Sequence, residues 1–336
     1  AAVLGGVTCV FEMPNTNPLT TSEEALADKV ARGRHRMHCD FAFWVGGTRE
    51  NAADVAELER LPGAGGIKEF MGSSTGSLLV EDDDGVREIL RRTRRRAAFH
   101  SEDEFRLRDR ADLRVEGDPA SHPVWRDEVA ALQCTERLVG IAEEVGARIH
   151  VLHISTAEEI VYLAGHKRNV TCEATPHHLT MTAEERHRDG IWHGIAAGVV
   201  DVLGSDHAPH TLEEKAAVYP KSPSGMTGVQ TLVPIMLDHV AKGRLSLARF
   251  VDLTSAGPQR IFGLSRKGRI ALGYDADFTI VDLKRGATIT DDWIGSRSQW
   301  TPYDGKAVTG CPVGTLVRGR RAMWEGEIVA PSTGEP

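Results

Sequence analysis

The chain has 336 residues, is 41% hydrophobic and 26% charged, and carries a formal net charge of -8. That is apolar material for one large domain, or a large domain with a small one, and no apolar run reaches the ~18–20 residues of a membrane helix. The acidic balance argues against nucleic acid as a main partner. Five scattered cysteines (Cys9, Cys39, Cys134, Cys172, Cys311) without a C-x-x-C pair argue against a disulfide framework, and the opening AAVLGGVTCV lacks the basic start of a signal peptide, so a cytoplasmic location is expected.

Taken in chain order, short β-rich runs alternate with amphipathic, charge-studded segments. The runs are Val7–Met13, Cys39–Val45, Gly66–Phe70, Ala97–His100, Arg148–Ser155, Val170–Thr175 and Val200–Ser205. Nearly every position in them is apolar, as expected of parallel strands covered on both faces. Between them, Ser22–Arg32, Asp84–Arg95, Trp125–Val145 and Thr156–Ala164 read as helices, the first with Ser22 ahead of Glu23 and Glu24 at its N-terminus. This alternation predicts a parallel α/β fold. After Phe262, Lys267–Leu272 and Phe278–Asp282 alternate around a Gly-Tyr-Asp turn, and Gly314–Val329 repeats the pattern, which predicts a small β domain. The expected division is 1–263 and 264–336.

Polar residues end most of the strands: Asn15, Lys68, His100, His153, His177 with His178, and Asp206. A doubly wound sheet gathers such residues only at its switch point. A (β/α)8 barrel brings every strand tip to one mouth, so the expected architecture is a TIM-like barrel with one strand out of view.

Gly204-Ser205-Asp206-His207-Ala208-Pro209-His210 is the most specific segment. A carboxylate at a strand tip, followed by imidazoles, suits metal binding and proton transfer; a polar turn with an Asp cap is its plain alternative. His100 and His153 each read alone as hydrogen-bonded structural groups. Together, with an Asp two strands on, they make a zinc-type ligand set. Lys68 is either a salt-bridged or snorkelling side chain, or an amine neutral enough to react. Glu173 and His177 are ligand candidates or parts of a capped loop. His35-Arg36-Met37-His38 precedes a strand and reads as surface, and Arg91–Arg96 reads as a solvated helix end.

These segments together resemble the dihydroorotase branch of the amidohydrolase superfamily over nearly the whole chain. The match includes Met13-Pro14-Asn15-Thr16, Gly66-Ile67-Lys68 with Met71–Gly76, the His100 and His153 segments, Cys172–His178, and Ser205–Lys215. The resemblance implies two zinc ions. It makes Lys68 their carboxylated bridge, with His100 and His153 on one ion and Asp206 on the other. It implies that Asp206 takes the proton of the attacking hydroxide and passes it to the leaving ring nitrogen of dihydroorotate, in pyrimidine biosynthesis. Asn15 and His210 would hold the substrate carboxylate, and the Ser73–Gly76 loop, with Ser74 and Thr75, would close over it. The partner is then a small molecule, with a homo-oligomer (a dimer favoured) expected and aspartate transcarbamoylase as a candidate associate.

The sequence departs from that pattern twice. No His-x-His is present, and Leu179-Thr180-Met181 runs straight into Thr182–Arg186 without the family's Asn-Pro-Pro-x-Arg segment. Both are expected to be parts of a longer protein, and without them one zinc is under-ligated and metal occupancy partial or nil. The rival readings are a hydantoinase, dihydropyrimidinase or allantoinase, and a catalytically inactive scaffold of the same fold.

Overall fold

A computed structural model describes residues 1–74, 78–181 and 184–336. Each of the seven apolar runs contains a strand: β1 (Cys9–Glu12), β2 (Asp40–Gly46), β3 (Ala64–Phe70), β4 (Ala97–His100), β5 (Ile149–Val151), β6 (Val170–Ala174) and β7 (Val202–Leu203). They pair in chain order, every neighbour parallel. Sequential parallel pairing with helical crossovers curls the sheet into a barrel wall. Among the described residues β1 and β7 are not joined to each other. In one register row lie Gly46, Lys68, Ala98, His150 and Thr171.

The helices begin where capping side chains stop the preceding loop. Ser22 Oγ accepts from Ala25 N–H ahead of Glu23–Gly33, Asp82 caps Asp83–Arg92, and Thr156 caps Ala157–Ala164. The helix predicted from Trp125 begins instead at Glu128, because Asp127 takes the cap and His122–Trp125 forms its own short turn. Val45, Ile67, Val86, Ile89, Phe99, Leu138, Val151 and Leu163 lie in the continuous core between strands and helices. Near the floor of the barrel Phe11, Trp44 and Phe262 pack with ring centroids 5.6 to 6.1 Å apart. No helix among the described residues is long and apolar enough to cross a membrane, and the five cysteines are free thiols.

A second, antiparallel sheet is formed by β8 (Phe278–Thr288), β9 (Ala307–Val317), β10 (Arg320–Trp324) and β11 (Glu327–Ile328), ordered β11-β10-β9-β8. The expected strand over Lys267–Leu272 does not form. Gly268 and Gly273 have φ of 77° and 84°, and Lys267 is drawn into an ion cluster with Asp40, Asp275 and Asp277. Ile270 and Leu272 are left exposed. Alternation marks a strand only if a neighbouring edge accepts it.

Arg91–Arg96 also departs from its sequence reading. Arg91 and Arg92 close the helix as expected. Arg95 and Arg96 are half-buried: Arg95 Nη1 donates to the carbonyls of Glu59 and Ala64, and Arg96 Nη1 to those of Ile149 and Asn169. They satisfy carbonyls at the strand-start end of the barrel.

Candidate active site

The carboxyl ends of the strands open on a cleft of about 2320 Å³, lined by Asn15, Lys68, Ser74, His100, His153, Asp206 and His210 among others. It reaches down the β1–β7 opening as far as Lys267 and Asp277. Thr75 and Gly76 lie outside the described residues, and Ser74 is exposed at the rim.

His100 and His153 project from the ends of β4 and β5 toward one another, with Nδ1 of His100 3.1 Å from Nε2 of His153. The other nitrogen of His100, Nε2, lies 3.3 Å from Glu102 Oε2. Glu102 is a carboxylate: burial works against its ionisation, but His100 and Arg126 overcome this and bring its pKa down to about 2. It therefore accepts from His100 Nε2–H, and this network assigns the tautomer that leaves the Nδ1 lone pair facing His153. Burial lowers the His100 pKa to about 4, so the ring is neutral at pH 7. Arg126 holds Glu102 through Nε and Nη2 on one guanidinium edge, with Nε–Oε1 at 2.8 Å, and its Nη2 also donates to the Ser73 carbonyl at 2.6 Å. Neither Glu102 nor Arg126 was singled out by the sequence reading. Glu102, two residues after a strand-end histidine, was the only available signal.

Lys68 is 2% exposed, donates to the carbonyl of Glu69 and lies 3.5 Å from the centre of the Phe70 ring. Burial pushes its pKa well below the usual lysine value, against the opposing pull of Glu69, Asp206 and Glu173. Asp206 has φ of 42° and His153 φ of 38°, both in the left-handed region that non-glycine residues rarely enter. Asp206 is open to the cleft yet surrounded by protein. Burial raises its pKa, but His153, His177, His178 and His100 outweigh that and hold it below the ordinary value.

The remaining histidines divide. His207 Nδ1 accepts from the backbone N–H of Gly228 at 3.0 Å, so it anchors a loop. His177 Nε2 is 3.1 Å from Thr175 Oγ1 inside the short helix Pro176–Thr180. His178 lines the cleft, and burial lowers its pKa to about 3. His210 Nδ1 lies 3.5 Å from Glu214 Oε2, while its carbonyl accepts from Trp300 Nε1.

The carboxylates of Asp40, Asp275 and Asp277, at the opposite end of the barrel, come close enough to hold a cation. Lys267 Nζ already sits among them, 2.5 Å from Asp40 and 2.7 Å from Asp277, and Arg318 pairs with Asp40. Their charge is met by the chain itself.

Comparisons agree with the fold. A model of the amidohydrolase family matches residues 92–322. A dihydroorotase from Halobacterium salinarum is 35% identical over 99% of this chain and 82% of its own length. An L-hydantoinase from Paenarthrobacter aurescens is 30% identical over 98% of this chain and 79% of its own. Both alignments are longer than the chain, so both relatives carry residues with no counterpart here. Among solved structures, the L-hydantoinase (dihydropyrimidinase) from Arthrobacter aurescens superposes with a TM-score of 0.93 at 28% identity, over 99% of this chain and 81% of that one.

Proposed function

This chain belongs to the amidohydrolase family, and from that premise we propose that it is a zinc-dependent cyclic amide hydrolase interconverting dihydroorotate and N-carbamoyl-L-aspartate. The relatives named dihydroorotase, at 35% and 33% identity over nearly the whole chain, support the substrate. The observation that carries the metal requirement is the approach of two imidazoles through ring nitrogens 3.1 Å apart, one with its tautomer fixed by a carboxylate. Lone pairs so directed suit a shared cation.

In this reading His100, His153, Asp206 and Lys68, the last as its carbamate, would hold the zinc ions. Bound there, the ions would supply a nucleophile at neutral pH and stabilise the oxyanion of the ring carbonyl. The protein's own part follows from burial and charge. Removal from water shifts Lys68 toward the free amine that can add carbon dioxide. Asp206, with its pKa below the ordinary carboxylate value, is ionised at pH 7, so its carboxylate oxygen can take a proton from the attacking water and return it to the leaving ring nitrogen. Asn15 and His210 hold the substrate carboxylate, with Ser74 and Thr75 over it. The division at residue 263, just after the helix Gly257–Phe262, separates the unit that carries all these residues from the small β unit.

A second reading, hydrolysis of a hydantoin, is favoured by the fit to L-hydantoinase. Steady-state turnover of L-dihydroorotate, hydantoins, dihydrouracil and allantoin, with zinc and after chelation, separates the two. The expected result is the highest kcat/KM on L-dihydroorotate, lost on chelation. Faster turnover of any other ring overturns the assignment.

A further inference from the structure

The proposed chemistry leaves a half-buried carboxylate beside the site without a task. Glu173, near the end of β6, grips the chain that follows β5 at two successive residues. Its Oε1 accepts from the backbone N–H of His153 at 3.3 Å, and its own carbonyl accepts from Ile154 N–H at 2.9 Å. Its other oxygen, Oε2, lies 3.3 Å from Nε2 of His150, which is fully buried. Nδ1 of His150 is 2.9 Å from Thr171 Oγ1, and that hydroxyl donates in turn to the Ile149 carbonyl. The hydroxyl oxygen therefore accepts from His150 Nδ1–H.

Space for this carboxylate is made by Gly204. A Cβ at that position would stand 2.5 Å from Glu173 Oε1 and 2.7 Å from Oε2, so any other residue there displaces the carboxylate. The residue Glu173 grips, His153, holds a φ of 38°. A non-glycine residue keeps such a backbone only where its surroundings over-determine it, and the direction of the His153 ring toward His100 depends on it. With both oxygens taken by His153 N–H and His150, Glu173 is not available as the metal ligand its sequence position suggests.

We infer that Glu173 is a positioning residue: it locks the left-handed backbone of His153, and so aims that imidazole at its metal, while His150 and the gap at Gly204 fix the carboxylate. The inference rests on the reading of His153 as a ligand and goes beyond it in assigning what sets the ligand's direction.

The test uses Glu173→Ala, Glu173→Gln and Gly204→Ala in the intact chain, with two readouts. In the metal-free, 15N-labelled protein, the His153 amide proton should move upfield in Glu173→Ala and Gly204→Ala, and little in Glu173→Gln, which keeps an acceptor oxygen. In chelator competition, zinc affinity should fall about 10- to 100-fold in the first two variants, with an altered visible spectrum of the cobalt(II) form, and stay near wild type in Glu173→Gln. A folded Glu173→Ala with an unmoved His153 amide and wild-type zinc affinity overturns the inference. Should that variant fail to fold, Gly204→Ala decides by the same criteria. If the wild-type chain binds no zinc, the proposed function fails, and the amide resonance still decides whether Glu173 sets the His153 backbone.

Discussion

The two ends of the barrel are both crowded with ionisable groups and treat them in opposite ways. At the strand-start end charges meet counter-charges or rows of carbonyls: Lys267 with Asp40 and Asp277, Arg318 with Asp40, Lys167 with Asp201, and Arg95 and Arg96 on strand carbonyls. At the mouth His100 and His178 are kept neutral by burial, Lys68 is pushed toward the free amine, and Asp206 is a carboxylate with no ion pair to a lysine or arginine within hydrogen-bond reach among the described residues. Paired charges fasten elements together. Groups left unpaired in a dry cleft keep lone pairs and protons free for a ligand.

Four measurements bear on this contrast. The largest effect is expected at the mouth: Asp206→Asn should lower kcat for dihydroorotate by about 10²- to 10⁴-fold while the melting temperature holds or rises, since asparagine tolerates the left-handed φ of 42° as well as aspartate does. A large loss of stability instead would place Asp206 with the fastening charges.

At the opposite end, Lys267→Met should leave Asp277 without its cation and Asp275 with Arg266 alone, and destabilise the chain by about 3 to 5 kcal/mol in urea unfolding. The kcat of the remaining folded protein should be unchanged. A fall in kcat at full folding would contradict the division.

Acid should reach the mouth first. His100 and His178, with pKa values lowered to about 4 and about 3, are neutral when folded and protonate near their ordinary pKa when unfolded. The unfolded chain thus binds more protons below pH 6.5. Stability is fully present above that value and falls as pH drops toward 4, by up to about 1.4 kcal/mol per pH unit for each such group. His178→Asn should flatten this slope in calorimetric or denaturant scans across pH 4–7.

The smallest effect concerns Glu69, which belongs to neither end. It is fully buried on β3, its two carboxylate oxygens find no hydrogen-bond partner among the described residues, and burial pushes its pKa well above the usual carboxylate value. Glu69→Leu should raise stability by about 1 to 3 kcal/mol. A loss would mean that the carboxyl has a partner the contrast overlooks.

Sequence alone determined the seven parallel strands and the helices between them. Burial on both faces demands unbroken apolar runs, and capping needs only a side chain three residues from its amide, so both signals are local. It also determined which strand tips carry Lys68, His100, His153 and Asp206, because a strand's end is read from where its apolar run stops. Tertiary structure alone decided how those groups are used. Arg126 reaches Glu102 across a helix and a loop, Glu173 reaches back to His153 from the next strand, and Lys267 and Arg318 meet Asp40 from more than two hundred residues away. The strand pattern over Lys267–Leu272 failed for the same reason: what a residue pairs with is set by which groups the fold brings within a few ångströms, and no local period encodes that distance.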